Sequence, residues 1–233
     1  MATEPLAFPP AIGDPWGDTF LADLPVVAFD TETGGFDPFA VPLLTVGCAS
    51  PDGLALEITV RHEHYQPDEK VLSINRITGA RAAGGCPWLL IEPLLEEQFD
   101  GRVVVGHNIG FDFGFLVANS PAMSLPPAID TAAICRFLWP GEKADLASLC
   151  RRARVENADA HGAGADALAA MRGWVFLRNI LRDRGVTTWN KLCEAQAPIP
   201  DSMRRGAWPS EVAAMVAKAR KRGATNLGGS ASA

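Results

Sequence analysis

Asp30, Glu32, Asp112, His161 and Asp166 are the residues of this chain whose types and spacing suit chemistry. Asp30 and Glu32 close an apolar run, Val26 to Phe29, that reads as a buried strand. Residues i and i+2 of a strand share a face, so two carboxylates emerge side by side. Two anions that close repel unless a cation joins them. Hard divalent cations take oxygen ligands of this kind. Thr33, Gly34 and Gly35 follow, and glycine lets a ligand approach the backbone closely. Asp112 sits where a strand turns into a helix, and the helix dipole favours an acid there. His161 lies in a loop of small residues, and Asp166 lies in the first turn of the helix that follows. Taken singly, each has a bland explanation: a solvated strand end, a helix N-terminal acid, a loop histidine.

The elements that must position these residues follow from periodicity and turn chemistry. Strands are expected at 26–29, 43–49 and 54–60, a three-strand antiparallel meander with a turn at Ser50-Pro51-Asp52-Gly53. Leu54, Leu56 and Ile58 alternate on one face of the third. A short helix suits 67–74, a loop 80–87, and a helix 92–99 with Pro93 in its first turn. A strand at 102–105 leads into the helix that carries Asp112. A brief strand at 128–130 precedes a helix over 146–154 capped by Asp145, and a long helix runs from 164 to 184. His62 and His64 form a His-x-His pair without a third ligand at useful spacing, which reads as a solvated strand end.

The organisation expected is an irregular N-terminal arm at 1–20, one α/β domain at 21–185, a helical C-terminal extension at 186–222 and a disordered Gly/Ser/Ala-rich tail at 223–233. Within the extension, 188–195 and 211–222 read as helices. Val212, Met215, Val216 and Ala219 form a stripe on the second, and Lys218, Arg220, Lys221 and Arg222 lie near its end.

With 233 residues, 48% hydrophobic and 21% charged, the composition is that of a globular domain. No apolar run is long enough to span a membrane, and the first ten residues do not read as a secretory signal. The five cysteines are widely spaced without a Cys-x-x-Cys pair, which favours reduced thiols in a cytoplasmic protein over a zinc site or disulfide framework. A net charge of −6 disfavours bulk electrostatic binding of a long duplex.

In order along the chain the motifs are Asp30-x-Glu32 at a strand end, His107-Asn108 with Phe111-Asp112 at a strand-to-helix turn, and His161-x-Ala163-x-x-Asp166 at a helix start. This resembles the DEDDh exonucleases, the DnaQ-like 3′→5′ exonuclease superfamily that includes proofreading subunits of bacterial replicative polymerases, ribonuclease T and oligoribonuclease. The resemblance covers about 24–182, and the segment Ile74 to Gly79 looks like the proofreading subgroup. One departure is Gly164, where a larger apolar residue is common in the family.

The resemblance implies a ribonuclease-H-like fold: a mixed five-stranded sheet flanked by helices, its first three strands antiparallel. It implies phosphodiester hydrolysis with two divalent metal ions, Mg²⁺ or Mn²⁺, about 4 Å apart. Asp30, Glu32, Asp112 and Asp166 would be the ligands, with Asp30 bridging. His161 would be the general base, since imidazole titrates near working pH. Thr33, Gly34 and Gly35 would meet the terminal nucleotide, Phe36 and Phe111 offer stacking faces, and His107 and Asn108 would order the site or touch substrate.

Three functions compete. The first is an exonuclease on DNA 3′ ends, single-stranded DNA preferred over RNA, free-standing or proofreading in trans through the C-terminal extension with a polymerase or another replication or repair protein. The second is an RNA 3′-end trimmer, kept alive by Phe36. The third is an inactive nucleic-acid-binding or tethering subunit, against which the intact acids argue.

Overall fold

The computed structural model describes residues 16–157 and 159–196. The expected arm residues before 16, the helix at 211–222 and the tail at 223–233 lie outside the described residues.

Five strands form one sheet in the order β3-β2-β1-β4-β5. They are β1 (Val26–Thr33), β2 (Leu43–Ala49), β3 (Ala55–Thr59), β4 (Val103–Gly106) and β5 (Ala128–Asp130). β1, β2 and β3 are antiparallel neighbours, whereas β4 runs parallel to β1 and β5 parallel to β4. This is the expected ribonuclease-H-like arrangement. β2 and β4 are buried along their full length, as near-continuous apolar strands covered on both faces must be.

The helices are α1 (Glu69–Asn75), α2 (Gly79–Ala83), α3 (Trp88–Phe99), α4 (Gly110–Asn119), α5 (Thr131–Leu138), α6 (Leu146–Ala153), α7 (Ala163–Asp183) and α8 (Trp189–Gln196). On one face of the sheet, Val27, Phe29, Val46 and Val104 pack with Ile91, Leu95 and Phe99 of α3 and Phe113 and Leu116 of α4. On the other, Ala28, Ala49, Val103 and Val105 meet Ala167, Met171 and Trp174 of α7, with Leu149 of α6 and Ile134 of α5.

Several expectations change. α3 starts four residues earlier than expected and carries Pro93 inside. Pro93 lacks the amide that would bond the Leu89 carbonyl, and both residues are exposed. α2 occupies part of the expected loop, its Arg81 amide accepted by the Thr78 hydroxyl. α5 was not expected; Asp130 caps it by accepting from the Ala132 and Ala133 amides. On β3, Leu54 and Leu56 are exposed at the sheet edge while Ile58 of the same face is half-buried against the α3 and α4 side, and Glu57 faces the start of α7.

The expected boundary at 185 does not separate two units. Trp189 and Leu192 of α8 are buried with Leu21, Leu24 and Leu181. The chain entry pairs with the same segment, the Leu21 amide donating to Thr187 and the Trp189 amide to Thr19. Among the described residues no helix is long and apolar enough to cross a membrane. Among the described residues no two cysteines form a disulfide. His62 donates a ring N–H to the Leu43 carbonyl at 2.7 Å, which commits half of the His-x-His pair to the fold.

Candidate active site

β1 splits its side chains between the two layers. Val27, Phe29 and Thr31 point towards α3 and α4, while Ala28, Asp30 and Glu32 point towards α7. The register sets Asp30 opposite Gly47 and Glu32 opposite Thr45 on β2. Gly47 has no side chain for a steric reason: a Cβ there would lie 2.1 Å from the Ala163 carbonyl carbon. The N-terminus of α7 therefore rests directly on the sheet beside Asp30, which brings His161 and Asp166 to it.

Asp112 comes from the opposite layer. β4 ends at Gly106, and the chain turns through Asn108 at a φ of +66°. The Asn108 amide donates to Asp130 at 2.9 Å, which holds the turn. α4 then starts so that Asp112, in its first turn and 3% exposed, accepts the Thr31 hydroxyl at 2.6 Å. His107 hydrogen-bonds through one ring nitrogen to the Thr131 hydroxyl at 3.0 Å and through the other to the Ala144 carbonyl at 2.8 Å. Both ring nitrogens are thus engaged within the protein.

On the third arm, the Asn157 amide donates to one Asp166 oxygen at 2.5 Å, and the His161 backbone N–H donates to the other at 3.2 Å. His161 has a φ of +70°, a left-handed conformation rare for a residue with a Cβ. Ligand atoms of Glu32, His161 and Asp166 all lie within 4.8 Å of one another.

Electrostatics bind the four acids into one cluster. Burial, then Asp112, Asp166 and Glu32, raise the Asp30 carboxyl well above its ordinary value. Burial, then Asp166 and Asp112, push Glu32 up to about 8, against a lowering pull from Arg81. Burial pushes Asp112 up to about 7 although the Thr31 hydrogen bond opposes it. Buried carboxylates that hold protons near neutrality, because burial first and neighbouring acids second disfavour their charged forms, make a donor set that hard divalent cations fit.

The glycine turn is braced within the protein. The Gly34 amide donates to the Pro42 carbonyl at 2.8 Å, and a Cβ on Gly34 would sit 2.8 Å from Pro42 Cδ. Asn75 donates to the Thr33 carbonyl at 3.2 Å, and the Thr33 hydroxyl to the Gly35 carbonyl at 2.7 Å. These polar groups brace the turn, and Gly34 is small for packing within the protein. Beside it Phe36 is 89% exposed, its ring 6.4 Å from that of half-buried Phe111 and edge-on to it. Phe36 thus gives its ring to the surface rather than to the core.

Thr31, Glu57, Arg81, Asn157 and Asp130 complete the site and were not singled out from the sequence. Thr31 lies within the first motif, and Asp130 carried an N-cap signal ahead of a helix. The other three are linked to the acids only by the folded chain.

The family described as Exonuclease matches residues 27–172. The DNA polymerase III PolC-type protein of Streptococcus suis is 31% identical over 188 residues, which cover 75% of this chain and 13% of that protein. The Streptococcus agalactiae PolC-type protein is 30% identical over 185 residues, covering 75% of this chain and 12% of its own. The chain thus spans about an eighth of the length of these curated relatives. Among solved structures, Exonuclease X in complex with 5′-overhanging duplex DNA superposes with a TM-score of 0.52 at 20% identity, covering 73% of this chain and 99% of that one. The Mg²⁺- and Mn²⁺-bound form of S. pombe Pop2p gives 0.58 at 15% identity, covering 69% of this chain and 85% of that one. E. coli Exonuclease I with a dT13 oligonucleotide gives 0.57 at 16% identity, covering 69% and 42%.

Proposed function

The chain belongs to the exonuclease family, as a member of its DEDDh 3′→5′ type, and on that premise we propose that it removes nucleoside 5′-monophosphates from single-stranded or frayed DNA 3′ ends. The observation that carries the reading is the convergence of Asp30, Glu32, Asp112 and Asp166 from three elements into one electrostatic cluster with His161 beside it.

Asp30, Glu32, Asp112 and Asp166 would hold two divalent ions, Mg²⁺ or Mn²⁺. When bound, such a pair neutralises the phosphate and lowers the pKa of the attacking water. His161 would accept the proton of the attacking water, and its exposure would let that proton pass on to solvent. Thr31 orients Asp112 through its hydroxyl, and Asn157 orients Asp166. Phe36 and Phe111 stack the terminal base, a contact that tolerates any base. A frayed end is preferred because unpairing costs least there. The PolC-type relatives support a DNA substrate and a proofreading setting, in which the protein acts free-standing or in trans with a polymerase or another replication or repair protein. The expected docking helix, 211–222, lies outside the described residues.

The test uses 5′-labelled oligonucleotides of matched sequence as DNA and RNA, single-stranded and paired, together with a circular strand. The expected result is a ladder descending from the 3′ end, fastest on single-stranded DNA, absent in EDTA and absent for Asp30→Asn. Faster loss of the RNA would move the protein to the trimming class, for which the exposed Phe36 is the supporting feature. Cleavage of the circle, or full activity in EDTA, would sink the reading.

A further inference from the structure

The start of α7 lacks the cap its sequence should supply. The first amides of a helix have no partners within it, and a side chain at the N-cap ordinarily accepts one of them. Here the N-cap is Gly162, which makes no side-chain cap bond. The acceptor comes from another strand: the Gly164 amide donates to Glu57 Oε2 at 3.0 Å. Glu57 stands on β3 opposite Gly47, and Gly47 stands opposite Asp30, so the three lie in one row across the sheet. Its other oxygen pairs with the Arg81 guanidinium at 2.5 Å, and Arg81 Nε donates to the Thr59 hydroxyl at 3.2 Å. The glutamate is thus held from the β3 side and reaches out to the α7 side.

The two glycines flanking Ala163 fit this arrangement. A Cβ on Gly164 would stand 3.2 Å from Glu57 Cβ, and one on Gly162 would stand 3.3 Å from Glu57 Oε2. A glutamate at 57 and a glycine at 164 answer each other.

We propose that Glu57 is a positioning residue that caps α7 from outside the helix and thereby sets His161 and Asp166 against Glu32, with Gly164 as its steric complement. The role rests on the exonuclease reading above. A carboxylate suits the post because the helix N-terminus carries partial positive charge. Because α7 has no cap of its own, the left-handed turn at His161 is fixed by this bond together with the Asp166 contacts.

The experiment compares wild type, Glu57→Ala and Glu57→Gln in the full chain, by steady-state hydrolysis of a single-stranded oligonucleotide and by amide hydrogen exchange over 161–166. Glu57→Ala should lower kcat about 10- to 100-fold, the size of loss that a misplacement near 1 Å produces, with KM little changed. Exchange at the start of α7 should quicken in the same variant. Glu57→Gln retains a carbonyl acceptor for Gly164, and should recover most of the rate and the protection. An alanine variant with wild-type kcat and exchange would overturn the proposal, as would a glutamine variant no better than alanine. An inactive wild-type protein would count against the exonuclease reading, whereas the exchange comparison still decides the capping role.

Discussion

Two helix starts deliver acids to the same cluster, and they are built by opposite means. α4 brings Asp112 from within a packed layer: Phe113, Phe115 and Leu116, the residues around it, are fully buried. α7 brings Asp166 from a polar rim, where His161 is exposed and the side-chain contacts of Glu57 and Asn157 fix the turn. Apolar packing is non-directional and strong in sum, so the α4 start is placed by the core and remains rigid. Hydrogen bonds at a surface are directional and individually modest. The difference suits the two roles. Asp112 needs only a fixed position, whereas His161 must meet water and pass a proton out. On this view, substitutions on the α4 side should act on stability first, and those on the α7 side on rate first.

The sharpest way to break the comparison is His161→Ala. The residue is exposed, so melting temperature should stay within about 1 °C of wild type, since surface changes cost little. The rate should fall about 10²- to 10⁴-fold, the usual share of a general base. Mn²⁺ affinity, read by calorimetry, should change little. An unaltered rate and pH profile would place the base elsewhere.

A smaller effect sharpens the contrast between the two arms. Asn157→Ala removes one hydrogen bond to half-exposed Asp166 and should cost about 1 kcal/mol or less. It should nonetheless slow turnover about tenfold, because Asp166 loses orientation. Phe115→Ala, beneath Asp112, should do the reverse: about 3–5 kcal/mol of stability lost through its cavity, with turnover per folded molecule nearly kept. Denaturant melts paired with active-site titration measure both. Equal effects of the two substitutions on both quantities would abolish the distinction between the arms.

The same contrast explains how much could be read from the sequence. The strands and the α4 start are legible because burial writes itself as apolar runs and as the spacing of Phe111 and Phe115. The five charged or titratable residues are legible through the order of their motifs. What escaped was set by tertiary contact. Glu57 sits between the alternating Leu54, Leu56 and Ile58 of an edge strand, and only the fold shows that α7 reaches its side chain. Gly34 is small because Pro42, just before β2, packs where its Cβ would stand, a contact that no motif announces. Trp189 and Leu192 follow a glycine turn that read as a boundary, and only the fold shows them buried against Leu21 and Leu24. α5 should have been legible, since Asp130 supplies a regular N-cap.

The smallest expected effect concerns the acids themselves, and it follows from the sign of their shifts. Glu32 rises from 4.5 to about 8 and Asp112 from 3.8 to about 7 on folding. A carboxyl whose folded pKa lies above its unfolded value holds its proton more tightly in the folded chain. Its contribution to stability is complete below the unfolded value and is lost as pH rises through the folded one. Without metal, then, the melting temperature should fall by several degrees between about pH 5 and pH 8, as the cluster ionises against itself. Mg²⁺ answers that repulsion only where the carboxylates are charged, so its stabilising effect should grow over the same interval. The measurement is a pair of thermal melts, in EDTA and in Mg²⁺, across that range. Asp30→Asn removes one anion from the cluster and should flatten the fall in EDTA, since Asp30 is raised by Asp112, Asp166 and Glu32 together. Both arms supply part of this repulsion, the α4 side through Asp112 and the α7 side through Asp166. Asp112→Asn and Asp166→Asn should therefore each flatten it in part. Melting curves that run parallel in EDTA and Mg²⁺ at every pH would mean that the two arms do not share a field.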